Sequence, residues 1–184
     1  MASEEKANAE RKDKKHSAKR DVIEILAAFA VAWLFYQGLA FAVGTNLPIV
    51  SVVSDSMYHI GGSDASGIGS SFDHWWSGHG NFYEQLHITK QEFKKFTLPN
   101  GMSKGDLLLV TKPENLKVGD IILYSRDVTI VHRIISITNN GYVTKGDNNL
   151  VSDPEISRSQ VVGKVIADVP ALGYPRLLLF AVGI

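Results

Sequence analysis

A chain of 184 residues with 45% hydrophobic side chains holds apolar material for one core, roughly one domain once a membrane segment and tail are set aside. The formal net charge is zero and there is no cysteine, which excludes disulfides, thiolate catalysis and Cys-ligated zinc. The charge is unevenly placed, however. The first twenty residues carry Lys6, Arg11, Lys12, Lys14, Lys15, Lys19 and Arg20 with few apolar neighbours. Interspersed Glu4, Glu5, Glu10 and Asp13 argue against a nucleic-acid-binding arm, so residues 1–21 read as a solvated basic tail.

Residues 22–43 are apolar except for Glu24 and Gln37. At 1.5 Å per residue, about 22 residues make roughly 33 Å of helix, enough for a hydrocarbon core of about 30 Å. The basic cluster before this segment is expected to stay in the cytoplasm, which puts residues 44–184 on the other side of the membrane. Ala40-Phe41-Ala42 has the small-x-small form of a cleavage site, but the apolar run exceeds the usual signal-peptide core, so a retained single-pass anchor is the preferred reading.

Beyond the anchor, residues 47–54 are rich in β-branched side chains and read as a strand that delivers Ser56 at its end. Residues 106–110, 120–124, 129–137, 142–145 and 161–166 read as further strands, separated by turn signals such as Asn139-Asn140-Gly141. The expected fold class is mainly β, an antiparallel domain of short strands. Residues 58–104 interrupt the pattern with Gly/Ser-rich sequence, Trp75-Trp76 and a short helix near residues 89–96, so they read as an inserted subdomain or membrane-facing lid. His74, His79 and His87 with Asp73 have no compact metal-ligand spacing and read as scattered surface side chains. The apolar tail, residues 176–184, is too short to span a bilayer and is expected to pack on the domain or dip into the membrane surface, with Pro170 and Pro175 breaking up what precedes it.

Ser56, in Ser54-Asp55-Ser56-Met57, is a candidate nucleophile, and a serine hydroxyl needs a base to take its proton. A free imidazole titrates near pH 6.5 and meets this need without deep burial, whereas an amine near 10.4 must be strongly desolvated. His132, in a strand between Val131 and Arg133, is the best-suited base outside the insertion. The imidazole must hold its other proton against an acceptor carboxylate. Asp147 and Asp153 both follow the next strand, and spacing does not separate them.

These pieces in order resemble type I signal peptidases of the archaeal and endoplasmic-reticulum branch, which uses histidine rather than lysine as base. The resemblance rests on the anchor, Ser54-Asp55-Ser56-Met57, residues 104–110 and 118–124, Val131-His132-Arg133-Ile134, and residues 144–149 with Asp153. It implies a signal-peptidase-type antiparallel β domain and a Ser-His-Asp mechanism with Ser56 as nucleophile, His132 as base and then acid, and Asp153 as orienting carboxylate. Asp147 matches a position that the family needs close to the site. The oxyanion hole is expected from the Ser56 backbone N–H and, by analogy with the Ser-Gly-Ser-Met form, the Ser54 hydroxyl. Asp55 replaces the glycine of that form, and the long 58–104 insertion exceeds the link of the reticulum enzymes; both look archaeal.

The implied activity is removal of amino-terminal signal peptides from secretory preproteins after small-x-small motifs. The implied partners are those signal peptides, the lipid bilayer and the protein translocation channel, with no nucleic acid, cofactor or metal. The implied location is the cell membrane, or the endoplasmic-reticulum membrane in a eukaryote. Substrate is expected to lie extended beside the strand ending at Ser54. A self-cleaving repressor-type peptidase would be expected to carry a lysine base and a DNA-binding domain instead. A catalytically inactive membrane-bound module that holds exported chains is the rival outside enzymes.

Overall fold

The computed structural model describes residues 2–59 and 72–181. Parts of two expected regions, residues 60–71 of the insertion and 182–184 of the tail, lie outside the described residues. The chain divides into two compact units, Met1–Ala42 and Val43–Ile184. The first is one helix, α1, which continues to Val43 (Ala2–Val43). Its Ala-, Glu- and Lys-rich start favours helix without needing a core, so the basic tail is helical as well. Within α1, Lys19–Val43 is long and apolar enough to cross a membrane, with a mean hydropathy of 1.8 and none of it buried. Residues such as Phe29, Leu34 and Phe41 expose most of their surface to whatever surrounds the helix.

The second unit is built on one sheet. Its strands are β1 (Ile49–Ser51), β2 (Leu107–Thr111), β3 (Ile121–Ser125), β4 (Thr129–Ile137), β5 (Gly141–Lys145), β6 (Ile156–Ser157) and β7 (Val161–Val169). The order is β1-β2-β7-β3-β4-β5-β6, and every pairing is antiparallel. The mainly-β domain and single amino-terminal apolar helix expected from sequence are therefore what the chain forms. The hairpin β3–β4 pairs Ile122 with His132 and Ile121 with Arg133, and β4–β5 pairs Arg133 with Lys145 and Ile134 with Thr144.

Because side chains alternate along a strand, this register puts His132, Ile134 and Thr144 on one face and Arg133 and Lys145 on the other. Each face has its own core. Ile122, Tyr124, Ile134, Tyr142 and Ile156 pack on the His132 side. On the other side, Met57, Met102, Leu108, Ile121 and Leu123 form one cluster, and Trp75, Trp76, Tyr83, Phe93 and Ile135 form a second.

That last cluster comes from the insertion, which leaves and rejoins the sheet at one point: Tyr58 bridges Gly101, and the Met102 N–H donates to the Met57 carbonyl at 3.0 Å. The described part of the insertion holds two helices, α2 (Phe72–Gln85) and α3 (Lys90–Phe93). The short helix expected near residues 89–96 is α3, started by a capping box in which Thr89 and Glu92 satisfy each other's backbone N–H groups. α2 was not legible beside the Gly/Ser-rich stretch, since its buried residues Trp75, Trp76 and Tyr83 are spread among glycines and histidines. In the tail, α4 (Tyr174–Ala181) places Pro175 in its first turn, where the missing N–H costs nothing, so that proline admits a helix instead of breaking one.

Candidate active site

The segment carrying Ser56 leaves the end of β1 through Val52, whose N–H and carbonyl bond Asp106 and Gly105, and then turns at Ser54–Ser56. The Tyr58 N–H donates to the Asp55 carbonyl at 3.0 Å and closes that turn. Ser56 is half-buried, and its hydroxyl shares a hydrogen bond with the Ser54 hydroxyl at 3.3 Å.

Across from this turn runs a strap, residues 146–148, that follows β5. The Asn148 N–H donates to the Ser56 carbonyl at 2.8 Å, and the Asn148 side-chain amide donates to the Asp55 carbonyl at 3.1 Å. Gly146 lies beside both the Ser56 carbonyl and His132. A Cβ there would stand 2.7 Å from the Ser56 carbonyl oxygen and 2.8 Å from His132 Nε2, so both atoms crowd one point and only glycine leaves room.

His132, on β4, is buried, and its Nδ1 lies 2.6 Å from Asp153 Oδ2. A carboxylate only accepts, so Nδ1 carries a proton and donates it to Asp153, while Nε2 stands beside Gly146. Asp153 is held in turn: its N–H donates to the Thr144 carbonyl at 2.8 Å, and the Thr144 hydroxyl donates to Oδ2 at 2.8 Å. Burial pushes the Asp153 carboxyl up, yet the hydrogen bond and charge of His132 outweigh it and hold the group below the usual carboxylate range. It therefore stays ionised.

Asp147 is placed differently. Its side chain is fully buried and points away from His132, on the Arg133 face of the sheet. Arg133 Nε donates to Oδ1 at 2.9 Å and Nη2 to Oδ2 at 2.7 Å, a two-point pairing that fits the planar guanidinium. The Tyr83 hydroxyl donates to Oδ1 at 3.2 Å, and His59 Nε2 lies 2.9 Å from Oδ2. Desolvation would raise this carboxyl, but the charge of Arg133 and these donors bring it well below the ordinary range. The remaining Arg133 donors reach the carbonyls of Thr97, Leu98 and Gly119, so the guanidinium spends its fork on the insertion and the turn before β3.

Beside this pair, Lys145 is buried with Nζ donating to the carbonyls of Gly146 and Asp147 at 3.1 and 3.2 Å, over the rings of Phe82 and Tyr83. Burial lowers its ammonium to about 8.

Sequence spacing could not separate Asp147 from Asp153 because the difference is one of sheet face. His59, Tyr83 and Lys145 were missed altogether. His59 had the one visible signal, three residues beyond Ser56. Of the insertion histidines, His79 stacks on Trp75 at 5.3 Å and is half-buried rather than a surface group. Asp73 is engaged by Lys90 and Lys94 at 3.2 and 3.4 Å.

Over an alignment of 94 residues the chain is 35% identical to the signal peptidase complex catalytic subunit SEC11 of Fusarium vanettenii, an alignment that covers 41% of this chain and 55% of that protein. Proteins of the same name in Sclerotinia sclerotiorum and Neurospora crassa are also 35% identical, with the same coverage. The chain thus spans about half the length of the curated relatives it matches. No family model matches.

Two stability predictions follow from these burials. Asp147→Ala strands the Arg133 charge inside the domain and is expected to cost about 3–5 kcal/mol. Asp153→Ala, at the partly open His132 site, is expected to cost under about half as much; chemical unfolding of the full chain in detergent compares the two. For Lys145, whose folded value of about 8 lies below the ordinary 10.5, the unfolded chain holds the proton between those values and the folded chain does not. Stability therefore rises with pH across that window, the burial penalty being fully present below it. Measured against Lys145→Met, wild type is expected to gain on the order of 2 kcal/mol between about pH 7 and 10. A constant difference would contradict a buried ammonium.

Proposed function

We propose that this chain is a membrane-anchored serine endopeptidase that cleaves amino-terminal signal peptides from exported preproteins after small-x-small motifs. The observation that carries the reading is the Asp153–His132 pair, whose Nε2 and the Ser56 carbonyl oxygen both border Gly146. The similarity to SEC11 catalytic subunits supports the substrate class.

In this reading His132 Nε2 takes the Ser56 proton as Oγ attacks the scissile carbonyl, and Asp153 stabilises the imidazolium that forms. The oxyanion of the tetrahedral intermediate is bound by the Ser56 N–H and the Ser54 hydroxyl, a donor of that kind contributing about 3 kcal/mol. His132 then protonates the leaving amine, and a water activated by the same nitrogen hydrolyses the acyl-enzyme. Asp147 does not contact the imidazole; its part is to hold the strap. The substrate lies extended along β1, which is the sheet edge and has β2 as its neighbour on one side only. The anchor is residues 22–43, with the amino terminus in the cytoplasm and residues 44–184 outside, in the cell membrane or the reticulum membrane, where the translocation channel delivers the chain to be cut.

The test is processing of a radiolabelled preprotein by membranes carrying the full chain. Ser56→Ala is expected to abolish cleavage and Asp153→Asn to lower kcat about 10³–10⁴-fold. The wild-type rate should fall toward acid, because only a neutral imidazole accepts the proton. Equal processing by wild type and Ser56→Ala would contradict a serine peptidase acting through Ser56, processing by neither would leave a binding module, and a rate flat from about pH 5 to 8 would argue against a histidine base.

A further inference from the structure

His59 stands three residues past Ser56, and its ring is fully buried. One flat face stacks on Trp75 of α2 at 3.7 Å and 1° between planes. Burial lowers its basicity, so the ring is neutral. With a carboxylate as acceptor its proton sits on Nε2 and is given to Asp147, while Nδ1 has no partner among the described residues. A neutral ring held by stacking on one side and by one directed hydrogen bond on another has its orientation fully determined.

What the ring orients is the strap. Asp147 contributes its N–H to Met57 Sδ at 3.4 Å and its carboxylate to His59, so it grips the nucleophile segment on both sides of Tyr58. The next residue, Asn148, holds the Ser56 carbonyl itself. Removing the His59 donor leaves Asp147 Oδ2 to Arg133 alone, and leaves the strap tied to the nucleophile segment only through the Asn148 and Met57 contacts.

We propose that His59 is a positioning residue for Ser56, and that it acts on the nucleophile segment through its hydrogen bond to Asp147. The inference rests on the peptidase reading above, since it is Ser56 that is positioned. It assigns His59, at the start of the insertion, a part in catalysis that acts through Asp147.

Two substitutions make opposite lesions in the full-length protein. His59→Phe keeps a flat ring against Trp75 and removes the N–H; His59→Gln keeps an N–H within reach of Asp147 and loses the stack. Amide exchange at Asn148, read against Ile122 in the core of β3, reports the strap directly and needs no substrate. Kinetics with a preprotein report the consequence. His59→Phe is expected to speed Asn148 exchange at least tenfold and to lower kcat at least tenfold with KM within twofold, and His59→Gln to stay within about threefold of wild type in both. Unchanged exchange and kcat in His59→Phe overturn the proposal. So does equal damage in both variants, because the N–H kept by His59→Gln would then make no difference. If His59→Phe does not fold, His59→Gln decides alone, native exchange and kcat supporting the role and rapid exchange with reduced kcat refuting it. Wild-type protein that cuts no preprotein would overturn the peptidase reading, while the exchange comparison would still test the clamp.

Discussion

The hydrogen bond from the Asn148 N–H to the Ser56 carbonyl is the point on which the site hangs. Ser56 lies on an irregular turn beyond a three-residue strand, where no ladder fixes it. The strap supplies that missing constraint, and it can approach only because residue 146 is glycine. A backbone carbonyl that is paired does not wander, so the hydroxyl of the same residue is confined before any reaction proposed for it.

The strap is itself held by an unusual concentration of buried charge. Strand β4 sends His132 to one face and Arg133 to the other, and the two carboxylates that follow β5 divide between them. On the His132 face the ion pair is partly open and can change protonation during a reaction. On the Arg133 face the pair is sealed, with each carboxylate oxygen taking two donors, and the cost of desolvating it is offset only because none is left unmet. One strand thus carries the pair proposed to react and a sealed structural pair in adjacent residues, back to back through the sheet.

Much of the fold could be read from local sequence. β4 matches the β-branched run at residues 129–137 end for end, and β2, β3, β5 and β7 fall on the expected runs with ends shifted by a few residues. Those runs are buried on both faces or on one, so apolar content alone marks them. β1 is shorter than residues 47–54 suggested, because the chain must leave the ladder to turn Ser56 outward. α2 and the two-residue β6 escaped notice: the first buries aromatics amid glycine, and the second is too short to carry a period.

The site was legible to the extent that chemistry resides in residue type. A serine, a histidine and two carboxylates could be named, but which carboxylate meets the histidine depends on the sheet face to which each returns. His59 could not be found by periodicity, since its partners Trp75 and Asp147 are brought to it by the insertion and the strap.

The central claim is that Ser56, and not its neighbour Ser54, is made nucleophilic by His132. Mass spectrometry of the full-length protein after treatment with a serine-reactive fluorophosphonate tests this directly. The expected result is one adduct on Ser56, formed at least a hundredfold more slowly in His132→Ala and absent after denaturation. An adduct on Ser54, or labelling of Ser56 at the same rate without His132, would contradict it.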